Sequence, residues 1–162
     1  REEGRCQGSA LPEFRAVKHT IKGYFKFSDD EFGVGSAIYA VKPGDGSARE
    51  QAASCQKVLG GWANIAREYA TKRYRSNLIN WGMLPFIVPK QDGGNENGLP
   101  FANDDYLFLP QIDKAIAEGK TEFEAYVIRD GRLVPFQLAM DPLTETEQEI
   151  ILKGCLINYY RG

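Results

Sequence analysis

The strongest constraint on the fold is a glycine-rich segment between an apolar run and a helix-like run. Residues 37–41 read AIYAV, residues 44–50 read GDGSARE, and residues 51–59 have the composition of a helix. A strand, a glycine loop and a helix start in this order indicate an α/β fold. The first N–H groups of a helix lack internal acceptors, and the helix dipole favours negative charge there. We therefore predict that Ser47 and Arg49 hold an oxyanion of a ligand at this junction.

The distribution of apolar residues predicts alternating strands and helices along the chain. Strands are predicted at residues 15–27 (a strand or hairpin), 36–41, 62–66 and 84–88, helices at 47–59, 71–81 and 113–118, and a loop at 90–98. A hairpin is predicted around Asp130-Gly131, and a capping box at Thr144 opens a final helix that runs to about Tyr159. The strands at 36–41 and 62–66 are expected to be buried. These elements predict a mixed α/β fold with three layers, in which residues 1–14 are a linker and residues 15–162 a single domain.

Charge, hydropathy and cysteine spacing exclude several classes of partner and cofactor. The formal net charge is −2 and the sequence pI is about 5.5, so no overall positive field attracts nucleic acid or an anionic membrane. No apolar run approaches the ~20 residues that a transmembrane helix needs. The three cysteines lie far apart without C-x-x-C spacing, which argues against a metal or iron–sulfur site made by this chain alone. Scattered thiols suit a reducing compartment, the cytoplasm or the mitochondrial matrix.

The glycine loop matches neither of the two common nucleotide-binding loops. No lysine follows the last glycine, as a P-loop requires, and the G-x-G-x-x-G pattern fails after Gly46. What remains is Gly-x-Gly-Ser-x-Arg at a helix start, where glycine permits close approach of a ligand and Arg49 can bind a carboxylate through two parallel hydrogen bonds. The same pattern also fits a structural interpretation, in which Ser47 caps the helix and Arg49 is an ordinary surface residue.

Several short motifs, in order along the chain, resemble the aconitase superfamily. Residues 46–53, GSAREQAA, match that family's G-S-S-R-E-H-A-A helix start, and residues 75–78, RSNL, and 82–85, GMLP, match its next helix and strand. The C-terminal hairpin and the helix that follows residues 143–147 also resemble the end of the family's fourth domain. The resemblance covers roughly residues 36–160. It implies the three-layer β/β/α swivelling domain, which also exists as a separate small subunit in isopropylmalate dehydratases.

The resemblance implies roles for four residues of the first motif. The family's first serine, here Ser47, removes the proton beside the substrate carboxylate. Its arginine, here Arg49, binds a substrate carboxylate and favours the ionised serine, and Gly46 and Ala48 would complete the substrate-binding loop. The family's second serine is Ala48 here and its usual histidine is Gln51, so the identity of the substrate does not carry over. These departures suggest a divergent hydratase branch.

Three classes of function follow from these observations. The first is a domain or small subunit of a hydro-lyase that acts on a hydroxy di- or tricarboxylic acid. Its [4Fe-4S] cluster would lie on other domains of the same polypeptide or on a large subunit, and the isolated chain would bind no metal and be inactive. The second is a carboxylate-binding module without catalysis, and the third is an RNA-contacting surface, which the net charge disfavours. Because Ser47 stands beside Arg49, we expect the first, with neither membrane nor nucleic acid as a partner.

Overall fold

The structure, a computed structural model, describes residues 12–28, 31–89 and 98–161. The helices of these residues are α1 (Pro12–Tyr24), α2 (Arg49–Val58), α3 (Lys72–Asn80), α4 (Ile112–Ala117), α5 (Glu145–Leu152) and α6 (Leu156–Tyr160). The strands are β1 (Ser36–Ala40), β2 (Gly61–Ala66), β3 (Leu84–Ile87), β4 (Tyr106–Phe108), β5 (Glu122–Arg129) and β6 (Arg132–Ala139). Of the predicted linker at 1–14, residues 1–11 lie outside the described residues and residues 12–14 belong to α1; of the predicted loop at 90–98, residues 90–97 lie outside them. No helix of the described residues is both long enough and apolar enough to cross a membrane.

The strands are hydrogen bonded in the order β1-β2-β3-β6-β5-β4. Strands β1, β2 and β3 run parallel to one another, whereas β6 is antiparallel to β3 and β4 is antiparallel to β5. By contacts the chain divides into two compact units, of which the second comprises residues 35–89, 111–123 and 137–161. The parallel strands, together with α2 and α3, belong to this second unit. The mixed α/β class predicted from the sequence is therefore confirmed.

In the second unit, helices α2 and α3 lie against each other over a small apolar cluster. Ala53 from α2, Tyr74 and Leu78 from α3, and Met83 are buried together. Tyr74 and Leu78 are four residues apart and lie on one face of α3, as the sequence predicts. Thr71 caps α3, because its hydroxyl accepts a hydrogen bond from the N–H of Tyr74 at 3.2 Å. This packing, with the hydrogen bond from Trp81 to Glu50, fixes the start of α2 beside the C-terminal end of α3.

The loops that follow β1 and β2 meet because the carboxyl ends of parallel strands lie at one edge of a sheet. The N–H of Arg67 donates to the carbonyl of Val41 at 3.1 Å, and the N–H of Ala70 donates to the carbonyl of Pro43 at 2.9 Å. These backbone bonds hold residues 41–48, which contain the glycine loop, against the residues that lead into α3.

The C-terminal helices are joined to α3 by an ion pair. Arg75, with 12% of its side chain exposed, donates from Nη1 to Glu147 Oε1 at 3.0 Å and from Nη2 to the carbonyl of Asp141 at 3.2 Å. Glu147 also completes the predicted capping box, in which its Oε2 accepts from the N–H of Thr144 at 2.9 Å. Arg75 is thus a structural residue that holds the start of α5 against α3.

The first unit contains α1, β4 and residues 124–136. The prediction of a strand or hairpin at residues 15–27 is wrong, since most of this segment forms α1. Three buried residues of α1, Phe14, Val17 and Ile21, follow one another at intervals of three and four, which is the helical period. Pro12 occupies the first helical position, where its missing N–H costs nothing. The strand was predicted from β-branched and aromatic residues in a partly alternating pattern. Most of these residues belong instead to one helix.

Three further details differ from the sequence prediction. Strand β1 was expected to be buried, but it is the edge strand of the sheet and its first three residues are exposed. The final helix, expected to continue to about Tyr159, is two helices, because Gly154 adopts a φ of +89° between α5 and α6. Strand β4, only three residues long, was not predicted.

Candidate functional site

The glycine loop has one position at which only glycine fits. Gly44 has a φ of +95°, and a Cβ placed there would lie 2.5 Å from Tyr74 Cβ and 2.7 Å from Tyr74 Cγ. A side chain would therefore meet both an unfavourable backbone conformation and a buried ring. Gly46 differs on both counts, since its φ is not left-handed and an added Cβ would meet nothing within 4 Å. The protein itself requires glycine at position 44 but leaves open space at position 46.

The backbone of Gly44 orients the side chain of Arg49. Arg49 Nε donates to the carbonyl oxygen of Gly44 at 2.9 Å, and Thr71 Oγ1 donates to the same oxygen at 3.4 Å. Arg49 is half-buried, and no other hydrogen bond or ion pair joins its guanidinium to any described residue. The two terminal nitrogens are therefore held in place with their N–H groups available, as binding of a carboxylate requires.

Ser47 lies beside this guanidinium in sequence but does not cap the helix. Helix α2 begins at Arg49, its N-cap residue is Ala48, and no side chain caps it. Ser47 is exposed, and within the described part of the chain its hydroxyl has no hydrogen-bond partner. The structural interpretation in which Ser47 satisfies the first N–H groups of the helix does not hold. Two of those N–H groups remain open to a ligand oxygen.

One of the first N–H groups of α2 is satisfied from the neighbouring helix. With the amide nitrogen of Asn77 facing the carboxylate of Glu50, the Asn77 oxygen accepts from the N–H of Glu50 at 3.2 Å. The N–H groups of Arg49 and Gln51 have no acceptor among the described residues. Two N–H groups, the Arg49 guanidinium and the Ser47 hydroxyl thus lie at the end of one ten-residue helix. Such an arrangement favours an anion.

A buried polar network supports the loop from behind. Asn64, only 2% exposed, accepts at Oδ1 from the hydroxyl of Tyr74 at 3.3 Å and donates from Nδ2 to Gln56. The hydroxyl of Tyr69 donates to the carbonyl of Asn64 or of Phe86, each at 3.1 Å. Burial raises the pKa of the Tyr69 hydroxyl, and burial likewise raises the pKa of Tyr74. Both tyrosines therefore stay neutral near pH 7, and the buried Tyr74 ring gives Gly44 a surface to pack on.

Within the described part of the chain, neither the histidine nor the two cysteines bond to the residues of this site. His19 is exposed on α1, Cys55 is exposed on α2, and Cys155 is partly exposed. Among residues 12–28, 31–89 and 98–161, no three His, Cys, Asp or Glu side chains are grouped so that they could hold a metal ion. The described cysteines therefore do not fit a cluster that needs three neighbouring thiolates.

Comparison with known proteins agrees with the motifs. The model of the aconitase C-terminal domain family matches residues 26–91, which include the glycine loop, α2, α3 and β3. A crystal structure of 3-isopropylmalate dehydratase (leuD) from Methanocaldococcus jannaschii is 25% identical, with a TM-score of 0.54 over 98% of this chain and 81% of that chain. The resemblance to the aconitase C-terminal swivelling domain is confirmed. No curated protein matches the sequence significantly.

The sequence interpretation missed three residues that shape the site. The sequence analysis placed Gly44 in the loop and Thr71 and Tyr74 in the helix at 71–81, without a connection to Arg49. A local signal existed for Gly44, because a Pro-Gly pair such as Pro43-Gly44 marks a special turn. Its contact with Tyr74 could not be read from the sequence, since the two residues meet only through packing of α3 on the loop.

Proposed function

We propose that this chain is the swivelling domain, or the small subunit, of an aconitase-like hydro-lyase. It would bind a carboxylate of a hydroxy di- or tricarboxylic acid at the start of α2. The observation that carries the proposal is the Arg49 guanidinium, which is fixed by the Gly44 carbonyl while its terminal nitrogens stay free. The open space at Gly46 and the uncapped N-terminus at Ala48 support it, because both leave room for ligand oxygens.

Ser47 would act as the base. A serine hydroxyl has a pKa far above neutrality, so it removes a proton only where positive potential stabilises its ionised form. The free N–H groups of α2 and the guanidinium of Arg49 supply such potential. The carbon-bound proton next to the substrate carboxylate passes to Ser47 Oγ, the C–H electron pair forms the new double bond, and the hydroxyl group leaves. Hydration is the reverse.

The remaining chemistry would come from a partner. In the proposed enzyme the iron–sulfur cluster belongs to other domains of the polypeptide or to a large subunit, because the described cysteines of this chain are scattered. The relative with a solved structure is a 3-isopropylmalate dehydratase. We therefore propose a cluster-bearing partner for this chain, and we expect the isolated chain to be inactive.

The test is a pair of substitutions in the enzyme assembled with its cluster-bearing partner, assayed with 3-isopropylmalate and with citrate. Ser47→Ala should lower kcat by about 100-fold or more with little change in KM, since a base acts mainly in the transition state. Arg49→Lys should raise KM and lower kcat, because lysine keeps the charge but loses the paired hydrogen bonds. For Arg49→Lys, the fall in kcat/KM should correspond to a loss of at least ~2 kcal/mol of transition-state stabilisation.

Two controls give the result its meaning. Ser54→Ala removes another hydroxyl of α2, one that donates to the carbonyl of Gln51 within the helix, and should leave kcat within about twofold of the wild type. Thermal unfolding of Ser47→Ala should match the wild type, because Ser47 is exposed and bonds to no described residue. A normal kcat in the assembled Ser47→Ala enzyme would show that Ser47 is not the base.

A carboxylate-binding module without catalysis is the second candidate. It is favoured by Ala48, which stands at the N-cap of α2 and offers no hydroxyl to a substrate. In that case Arg49→Lys weakens binding of citrate to the chain, measured by calorimetry, while neither variant changes any dehydration rate. The two candidates thus differ in whether Ser47 affects turnover.

A further inference from the structure

The carboxylate of Glu50, next to Arg49 in sequence, is held by two residues of the neighbouring helix. Trp81 Nε1 donates to Glu50 Oε1 at 2.6 Å, and in the amide orientation that satisfies both of its ends Asn77 donates from its nitrogen to Glu50 Oε2 at 3.2 Å. The Asn77 oxygen also accepts from the backbone N–H of Glu50. Both carboxylate oxygens are therefore directed toward the C-terminal end of α3, although Glu50 is exposed.

Glu50 and Arg49 carry opposite charges but have separate partners. Arg49 bonds to the carbonyl of Gly44, and no ion pair joins it to Glu50 or to another described residue. A carboxylate in the first turn of a helix is attracted to the N–H groups of that turn and to a nearby guanidinium. Those are the groups that a substrate carboxylate would use. A Glu50 side chain without its partners on α3 would compete for them.

We propose that Trp81 and Asn77 are positioning residues that hold the Glu50 carboxylate aside and so keep the start of α2 open for a substrate carboxylate. The inference rests on the proposed function of Arg49 as the carboxylate-binding residue. Trp81 acts here through Glu50 and not through the ligand. This arrangement also explains why an acidic residue can stand beside an anion site. The Glu50 carboxylate is tolerated there because Trp81 and Asn77 hold it away from the start of α2.

The experiment compares Trp81→Phe with and without Glu50→Gln in the assembled enzyme, with 3-isopropylmalate as the probe. Trp81→Phe keeps most of the ring but removes the N–H that binds Glu50. Its KM should rise roughly two- to fivefold, the effect of one carboxylate near a helix N-terminus, with kcat nearly unchanged. In the double variant the competing charge is absent, so KM should return to the value of Glu50→Gln alone.

A purely structural role of Trp81 predicts a different result. Loss of packing would not be repaired by Glu50→Gln, so a KM that stays raised in the double variant overturns the inference, as does an unchanged KM in Trp81→Phe. If Trp81→Phe fails to fold, as judged by circular dichroism, Asn77→Leu with and without Glu50→Gln decides by the same criterion. A different result would refute the proposed function itself: an Arg49→Lys enzyme with the KM and kcat of the wild type.

Discussion

Replacement of Gly44 by alanine tests whether the loop is shaped by its contact with Tyr74. The backbone of Gly44 has a φ of +95°, which costs an alanine about 1–2 kcal/mol. The new methyl group would lie 2.5 Å from Tyr74 Cβ, an atom close to the helix backbone that cannot rotate away. Overpacking of this kind costs about 1–3 kcal/mol. We therefore expect Gly44→Ala to lose about 3 kcal/mol of unfolding free energy.

Urea unfolding followed by tryptophan fluorescence and circular dichroism measures this loss. For a chain of 162 residues, a loss of about 3 kcal/mol corresponds to a fall in Tm of roughly 6–12 °C. The control is Gly46→Ala, two residues further on, where an added Cβ meets nothing within 4 Å. Its unfolding free energy should stay within about 0.5 kcal/mol of the wild type.

Two results would refute this reasoning. A Gly44→Ala variant that loses less than about 1 kcal/mol would mean that the loop moves away from Tyr74 at little cost. Equal losses in Gly44→Ala and Gly46→Ala would mean that flexibility of the loop, and not the contact, decides the effect. The same pair of variants also bears on function. In the assembled enzyme Gly46→Ala should raise KM without loss of stability, because its methyl group occupies space that the protein leaves empty.

Two further predictions concern stability. Thr144→Ala should lower the unfolding free energy by about 1 kcal/mol, because it removes the capping box of α5, while Thr144→Ser should retain most of it; urea midpoints measure both. Burial raises the pKa of Tyr69 above its ordinary value of 10, so the folded state holds this proton more tightly than the unfolded state. The contribution of the Tyr69 hydroxyl to the free energy of unfolding is therefore complete below pH 10 and is lost as the pH rises above 10. Urea midpoints between about pH 8 and about pH 11 should therefore fall less steeply in Tyr69→Phe, and an equal slope in both proteins would contradict the assignment.

Sequence patterns predicted the parts of the fold that depend on neighbouring residues. Helix α3 was identified from the spacing of Tyr74 and Leu78, and the hairpin between β5 and β6 from Asp130-Gly131, both of which have positive φ angles. Helix α1 was missed because β-branched and aromatic residues can fall on one helical face. Strand β4 was missed because three residues form no recognisable pattern.

The site was predicted in part for the same reason. Ser47, Gly46, Ala48 and Arg49 belong to one short motif, and their places at the start of α2 follow from local rules, although their roles stay predictions. The orientation of Arg49 depends on the Gly44 carbonyl, which Thr71 also contacts from 27 residues away. Contacts between residues this far apart in sequence are determined by packing of α3 on the loop, which a single sequence does not reveal.

The structure also gives a reason why two separated motifs of this chain occur together. The first, residues 46–53, contains Glu50, and the second, residues 75–78, contains Asn77, which bonds to both the carboxylate and the N–H of Glu50. Arg75 of the second motif points the other way, to Glu147 at the start of α5. Helix α3 thus connects the proposed carboxylate site to the C-terminal helices through two side chains that are two residues apart and lie on opposite faces of the helix. A change in either motif alone would leave a bonding partner unsatisfied, so each motif constrains the other.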